Sequence, residues 1–332
     1  MSFDPFPSER IPFYKDRRVV VTGATGLIGS YVVKLLHDCG ARWVRAVAHS
    51  RAPNLYSGMA NEILVADLMI PAEAAAAVKG ADIVLSCAGI TGGIGLTQVD
   101  PVSYAGPATC LVINTLHAAH ENGVEHFGFL SSTTVYAARE SPVDEMDELI
   151  AEPFPLYSGI GWSKRFLEKL CKYYVDKTKV KIAIVRPSGA YGRFDNFDEG
   201  TSHVIPGMLH RALSLKPGEP FEVWGDGTDV RDFVHAQDVA MGLLLAVSRS
   251  TKAGAFNIAS GIGVTTRDLA VAVLKATGTN AEIVVNPKKL VALKKRTVSI
   301  EKARNVLDYR PMIRLHDGLK DTAAWMQSMG GR

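Results

Sequence analysis

The chain of 332 residues carries 37 Lys and Arg against 34 Asp and Glu, a net charge of +3 and too small an excess to argue for a nucleic-acid partner. Its four cysteines (Cys39, Cys87, Cys110, Cys171) lack metal-ligand spacing, so no metal site is expected and the thiols read as reduced and mostly buried. No apolar run reaches membrane-spanning length, and the first sixteen residues, interrupted by Pro5, Pro7 and Pro12, lack a signal-peptide core, so a cytoplasmic protein with no membrane partner is expected.

Taken in chain order, short apolar runs alternate with helical periodicity. The strand candidates are Val19–Val21, Trp43–Ala48, Glu62–Val65, Ile83–Cys87, His126–Leu130 and Lys181–Val185. Between several of them lie the helical stretches Leu27–His37, Ala72–Val78, Thr109–His120 and Trp162–Lys177. Such alternation predicts an α/β fold, a Rossmann-type doubly wound parallel sheet. After Arg186-Pro187 the pattern turns irregular up to about Arg231, then a helix (Gln237–Val247) and a strand (Ala255–Ile258) return. The expected division is therefore an N-terminal extension (1–16), a sheet domain (17–190 plus 236–260) and a smaller discontinuous lobe (191–235 plus 261–332).

The first strand runs into Thr22-Gly23-Ala24-Thr25-Gly26-Leu27-Ile28-Gly29 and then directly into a helix. Gly23 permits the sharp turn, Gly26 lets a pyrophosphate approach the backbone, and Gly29 allows close helix–strand packing. Free N–H groups at the helix start then hold the anion. A dinucleotide is the expected cofactor. NAD-selective chains place an acid at the end of the second strand to take both ribose hydroxyls. Here that strand ends Ala48-His49-Ser50-Arg51, and Ser50 with Arg51 suits a 2′-phosphate instead. NADP is favoured, with NAD left open and an exposed strand-end Arg as the plain alternative.

The glycine motif, Ser131-Ser132-Thr133-Thr134-Val135-Tyr136, Ser163-Lys164, Arg186-Pro187-Ser188-Gly189-Ala190-Tyr191-Gly192, and Val223-Trp224-Gly225-Asp226-Gly227 before Arg231-Asp232-Phe233-Val234-His235 resemble the extended short-chain dehydrogenase/reductases, enzymes of nucleotide sugars. Gly89 to Gly95, Asp195-Asn196-Phe197 and Ser202-His203-Val204-Ile205-Pro206 are similar, within that group, to the GDP-fucose synthases. The resemblance runs from about Arg18 to Trp325. It implies cofactor contacts from Gly23, Thr25, Gly26, Leu27, Ile28, Asp67, Leu68, Ala88, Gly89, Lys164 and Pro187. For Asp67 a turn-starting role is the alternative.

In that family a Ser or Thr hydroxyl polarises the sugar carbonyl and a Tyr passes the proton. A Lys one helical turn later holds the nicotinamide ribose and lowers the Tyr pKa. Ser132 matches the hydroxyl and Lys164 the Lys, but Ile160 stands at the Tyr position. The Cys and His that exchange protons in GDP-fucose synthases align with Thr134 and Phe194, and an Asn that helps seat the Lys falls at Ala108. Tyr157, in a stretch whose Pro155, Gly159 and Gly161 predict a loop, is a candidate replacement phenol that folds back toward the nicotinamide, or else an apolar plug. His203 is either an acid or scaffold.

For the substrate, a nucleotide-diphosphate sugar, the resemblance implies that Arg231 contacts the diphosphate, with a surface ion pair as its alternative. Trp224 either packs the nucleobase or fills the lobe core. Thr134, Asn196, Val204 and Arg211 belong to segments that line the site in similar chains. Lys294-Lys295-Arg296 reads as a solvated loop or a diphosphate rim. Similar proteins form homodimers through the helices around Thr109–His120 and Trp162–Lys177. Two functions stay open: an NADP(H)-dependent reductase or epimerase of a nucleotide sugar with a non-standard proton donor, and a catalytically weak relative that binds cofactor and sugar nucleotide.

Overall fold

The computed structural model describes residues 11–90, 102, 104–138, 142–146, 151–198, 201–250, 252–289 and 293–329. Seven strands form one parallel sheet in the order β10-β6-β5-β4-β1-β2-β3. In chain order they are β1 (Arg18–Thr22), β2 (Trp43–Ala48), β3 (Glu62–Val65), β4 (Ile83–Ser86), β5 (His126–Leu130), β6 (Lys181–Pro187) and β10 (Lys252–Ile258). The central strands β1, β4 and β5 are almost wholly buried, as sheets covered on both faces require. Helices α1 (Leu27–Asp38) and α6 (Ala236–Arg249) pack one face, with Val19, Val21, Leu35, Leu36, Leu243 and Leu244 in a common core. The other face is covered by α2 (Pro71–Val78), α3 (Ala105–Glu121) and α4 (Ser158–Lys177).

Residues 11–16, expected to lie in an extension, are packed into this domain. Ile11 and Tyr14 are buried in the first core, and the Tyr14 hydroxyl donates to the Leu244 carbonyl at 2.9 Å.

Several of the remaining described elements gather on a second core as the second lobe. Its larger sheet comprises β7 (Gly189–Tyr191), β9 (Val230–His235), β11 (Gly263–Thr265) and β13 (Lys295–Arg296), and β8 (Phe221–Trp224) pairs in parallel with β12 (Ile283–Asn286). Around them lie α5 (Val204–Ser214), α7 (Thr266–Thr277) and α9 (Leu315–Met329), whereas α8 (Glu301–Leu307), expected in this lobe, packs on the first core through Ala303 and Leu307. A separate core of Leu209, Phe221, Leu269, Val273 and Leu319 holds this lobe. The chain crosses between lobes near Ser188, Asp232 and Ser260. The Asp232 carboxylate joins those crossings, accepting from Ser188 Oγ (3.2 Å), Ser260 N (2.9 Å), Ser260 Oγ (2.7 Å) and Gly261 N (2.9 Å).

One element differs from its sequence expectation in a way that touches the site. Helix α4 begins at Ser158, preceded by a 3-10 turn over Pro155–Tyr157, so Gly159, Ile160 and Gly161 are helical rather than loop. Gly161 is a packing residue: a Cβ there would lie 2.6 Å from Pro153 Cβ and 2.7 Å from the Thr134 carbonyl oxygen. Its missing side chain lets α4 lie against the turn that follows β5, which outweighs the propensity penalty.

Candidate active site

The glycine turn has the shape that a pyrophosphate needs. Gly23 adopts φ +62°, and a Cβ there would come within 2.6 Å of Ala88 Cα, so the ends of β1 and β4 close on each other. At Gly29 a Cβ would collide with the Gly23 carbonyl oxygen. Gly26 is the N-cap of α1 and no side chain caps that helix, which leaves the first N–H groups at Leu27 and Ile28 for an anion. Thr22 Oγ1 accepts the Ala88 amide at 3.1 Å, tying the residues that follow β4 to the end of β1 beside the glycine turn. Thr25 is buried, its carbonyl accepting from Asn54 Nδ2 at 3.2 Å. These residues fit a dinucleotide, which would supply or accept the hydride.

Farther along the second and third strand ends, Ser50 and Arg51 are exposed, and Arg51 Nη1 donates to the Phe194 carbonyl at 3.2 Å. Asp67 Oδ1 accepts from the Met69 amide at 2.9 Å, the turn-starting geometry, while the Leu68 side chain is buried in the core. Thr91 to Gly95 of the Gly89–Gly95 motif lie outside the described residues.

At the end of β5 the hydroxyl and the lysine come together. Ser132 Oγ accepts the Thr134 amide at 3.1 Å, which holds the oxygen in place and leaves its proton uncommitted to this bond. Lys164, on α4, donates to the Leu130 carbonyl at 2.9 Å and sits over the Phe129 ring. Burial pushes Lys164 down to about 8, with Glu168 and Cys171 pulling the other way. Ile160 lies one turn earlier on the same helix and is half-buried. Pro187 ends β6 beside Ile258 of β10.

Beneath them lies a buried polar network that the sequence reading missed. Glu168 takes Arg186 in a two-pronged pair (Nε–Oε1 2.9 Å, Nη2–Oε2 2.5 Å) and accepts the Ser131 hydroxyl. Arg186 Nη1 also donates to Tyr136 Oη at 3.0 Å and to the Glu145 carbonyl at 3.1 Å, and Tyr136 Oη donates to Asn257 Oδ1 at 2.6 Å. Burial pushes Glu168 up to about 7, against the pull of the Ser131 hydroxyl and Lys164. The spacing of Glu168, four residues after Lys164 on one helix face, was the available signal.

Tyr157 sits at the N-terminal cap of α4, with Phe154 beside its ring. Its charged neighbours are Arg231 and Arg296, which lower its pKa against the larger upward push of burial. Tyr157 lies in the 3-10 turn that precedes α4 rather than in the expected loop, near the guanidiniums of Arg231 and Arg296. The basic run divides as well. Lys294 is exposed and paired with Asp226 (2.7 Å), whereas Arg296 turns inward and donates to the Thr133 carbonyl at 2.6 Å.

Arg231 is held by carbonyls, donating to Val230 O at 2.9 Å and also to Leu293 O, so a plain surface ion pair does not describe it. Trp224 is 46% exposed at the end of β8, flanked by Arg211 and Lys289, and does not fill the lobe core. Arg211 also donates to the Glu222 carbonyl at 3.0 Å. Val204 opens α5 and is exposed, and Asn196 bonds the Thr201 hydroxyl at 2.9 Å. Phe194, at φ +69°, packs among Tyr31, Tyr56 and Trp325. His203 Nδ1 lies 3.4 Å from Asp195, whose carboxylate raises the imidazole pKa against burial. Among the described residues no group of His, Cys, Asp or Glu is arranged to hold a metal, and no helix is long and apolar enough to cross a membrane.

Similarity to known proteins agrees with this layout. The chain is 28% identical to a dTDP-4-dehydro-6-deoxy-D-allose reductase of a Streptomyces species, over 93% of this chain and 96% of that protein. It is 26% identical to GDP-L-fucose synthase of Escherichia coli, over 93% and 96%. Among solved structures, an epimerase from Methanothermobacter thermautotrophicus superposes with a TM-score of 0.83 at 22% identity, covering 98% of this chain and 96% of that one. The UDP-glucose 4-epimerase of Thermotoga maritima gives 0.81 at 24%, over 94% and 99%. The family described as "Epimerase: NAD dependent epimerase/dehydratase family" matches residues 19–259. With the glycine turn, the Ser132–Lys164 pair and this match in agreement, the chain belongs to the NAD-dependent epimerase/dehydratase family, the extended short-chain dehydrogenase/reductases.

Proposed function

We propose that this protein is an NADP(H)-dependent reductase or epimerase of a nucleotide-activated sugar, working without the usual tyrosine. The observation that carries this reading is the joint placement of Ser132 and Lys164. Lys164 is bonded to the carbonyl of Leu130, two residues before Ser132, so one strand end positions both groups. In the proposed mechanism the glycine turn and Lys164 orient the dinucleotide, and Ser132 polarises the sugar carbonyl. Hydride transfer then needs proximity and alignment, and the proton comes from water, a substrate hydroxyl or Tyr157. The diphosphate lies along Arg231, with Trp224, Arg211, Asn196 and Val204 toward the nucleoside and Thr134 toward the sugar. The test is turnover of the cofactor across a panel of GDP-, UDP-, CDP- and dTDP-sugars.

For the cofactor, Arg51 and Ser50 end β2 with no acid beside them. Arg51→Asp should weaken NADPH much more than NADH, because it sets a like charge against the 2′-phosphate. Equal losses in a fluorescence titration, or a preference of the unaltered protein for NADH, would remove the NADP assignment.

A homodimer is part of the proposal. Trp162 (47% exposed), Phe166 (53%) and Tyr173 (60%) form an apolar stripe along α4. Light scattering should give twice the 35.8 kDa chain mass, and a monomer at micromolar concentration would rule the assembly out.

A second reading has its own support. Ile160 puts an aliphatic side chain where the proton-transfer group belongs, which suits a relative that binds cofactor and sugar nucleotide without turnover. Binding of a panel member with no change in cofactor absorbance would favour that role.

A further inference from the structure

Two arginines stand side by side where β9 and β13 pair in parallel, Arg231 opposite Arg296. They are committed differently. Arg231 is tied to carbonyls of its own lobe, whereas Arg296 reaches across to the turn that follows β5 and donates Nη1 to the Thr133 carbonyl. Its Nε and Nη2 are sealed from solvent and have no acceptor among the described residues. Thr134 Oγ1, on the next residue of that turn, is also sealed and unpartnered among them.

Donors buried without acceptors are costly, and a charged group costs more than a neutral one. Burial and the adjoining Arg231 both work against the Arg296 charge, while Tyr157 supports it. Nε–H and Nη2–H together form the side edge of a guanidinium, whose two parallel donors match the two oxygens of a carboxylate. The location narrows the ligand. The turn that holds Arg296 also carries Ser132, the hydroxyl at the reacting carbon, whereas Trp224 and Arg211 mark the nucleoside end. The unpaired edge of Arg296 therefore lies by the sugar end of that site rather than the nucleoside end.

On the basis of the nucleotide-sugar reading above, we infer that the sugar carries a carboxylate, received by the side edge of Arg296 with the Thr134 hydroxyl as a further donor. The substrate class is a nucleotide-linked acidic sugar such as a hexuronate.

The experiment is calorimetric titration of the full chain, preloaded with NADPH. The ligands are nucleoside diphosphates, the matching neutral nucleotide hexoses, and the corresponding nucleotide hexuronates. The unaltered protein should bind the acidic sugar roughly 10- to 100-fold more tightly than its neutral counterpart, the range expected of charge-assisted bonds. Arg296→Met should erase that preference and leave the bare nucleoside diphosphate unaffected, and Arg296→Lys should keep part of it. Arg231→Ala should instead weaken all three ligand types by a common factor. Unchanged NADPH affinity shows that each variant is folded, and the comparison in the unaltered protein needs no variant. Equal binding of acidic and neutral sugars would overturn the inference. So would an Arg296→Met loss as large for the bare diphosphate as for the acidic sugar, which would make Arg296 a diphosphate ligand. Failure of every nucleotide to bind while NADPH still does would refute the nucleotide-sugar reading itself and this inference with it.

Discussion

Arg186→Ala should lower the unfolding free energy by about 3–5 kcal/mol, the usual result of removing one partner from a buried ion pair. Arg186 is 1% exposed and Glu168 7%, so water cannot replace the lost guanidinium. The same change strips a donor from Tyr136 and from the Glu145 carbonyl. Burial already raises Glu168 to about 7 in the native fold, and loss of the Arg186 guanidinium raises it further. A raised folded-state pKa means stability that is fully present in acid and lost as pH rises. The deficit of the variant should therefore be nearly constant below pH about 7, where Glu168 is already neutral in the native fold, and grow as pH rises beyond it. Urea titrations at several pH values measure this. Replacing both partners, Arg186→Met with Glu168→Leu, should recover part of the loss, because an apolar pair leaves no charge buried alone. A single-variant loss below about 1 kcal/mol would show that the pair is not holding α4 to the sheet.

The second large effect concerns Ser132. If it alone polarises the carbonyl, Ser132→Ala should cut turnover by roughly 10²- to 10³-fold, the scale seen when one donor to a developing oxyanion is removed. Ile160→Tyr should keep or raise turnover, since the phenol would stand one turn before Lys164 on the same helix face. Tyr157→Phe separates the donors: a large fall assigns the proton to the phenol beside Arg231 and Arg296, and no change leaves water or a substrate hydroxyl. Turnover of any panel sugar that disappears in Ser132→Ala excludes the binding-protein reading. Absence of turnover, with a panel sugar bound, excludes the enzyme.

Much of the sheet domain was legible because its signals are local. Val19 to Val21 and His126 to Leu130 are short apolar runs bounded by turns, and they form strands with nearly the expected limits. The start of α4 was misjudged because Gly159 and Gly161 read as breakers, whereas the reason for Gly161 is a tertiary contact with Pro153 and Thr134. The Glu168–Arg186 network escaped for a similar cause. Its members come from α4, β6, β10 and the segment that follows β5, and the parallel order of the strands brings them together. Arg296 looked like one more charge in a basic run, and strand pairing with Arg231 separates it from Lys294. Tyr157 shows the limit of local arguments, since Pro155, Gly159 and Gly161 read as a loop and gave no sign of its place near Arg231 and Arg296.

The bond from Tyr14 to Leu244 has a consequence for how the chain is made. It links residues 230 positions apart, so the segment around Tyr14 finds its place only after α6 has been synthesised. Strand β10, which completes one edge of the large sheet, leaves the ribosome later still. Until then β6 is an open parallel edge and Ile11 and Tyr14 have no apolar cover, the kind of exposure that invites association between nascent chains. Truncations that stop short of Ile258 should accumulate as aggregates rather than as a smaller stable domain.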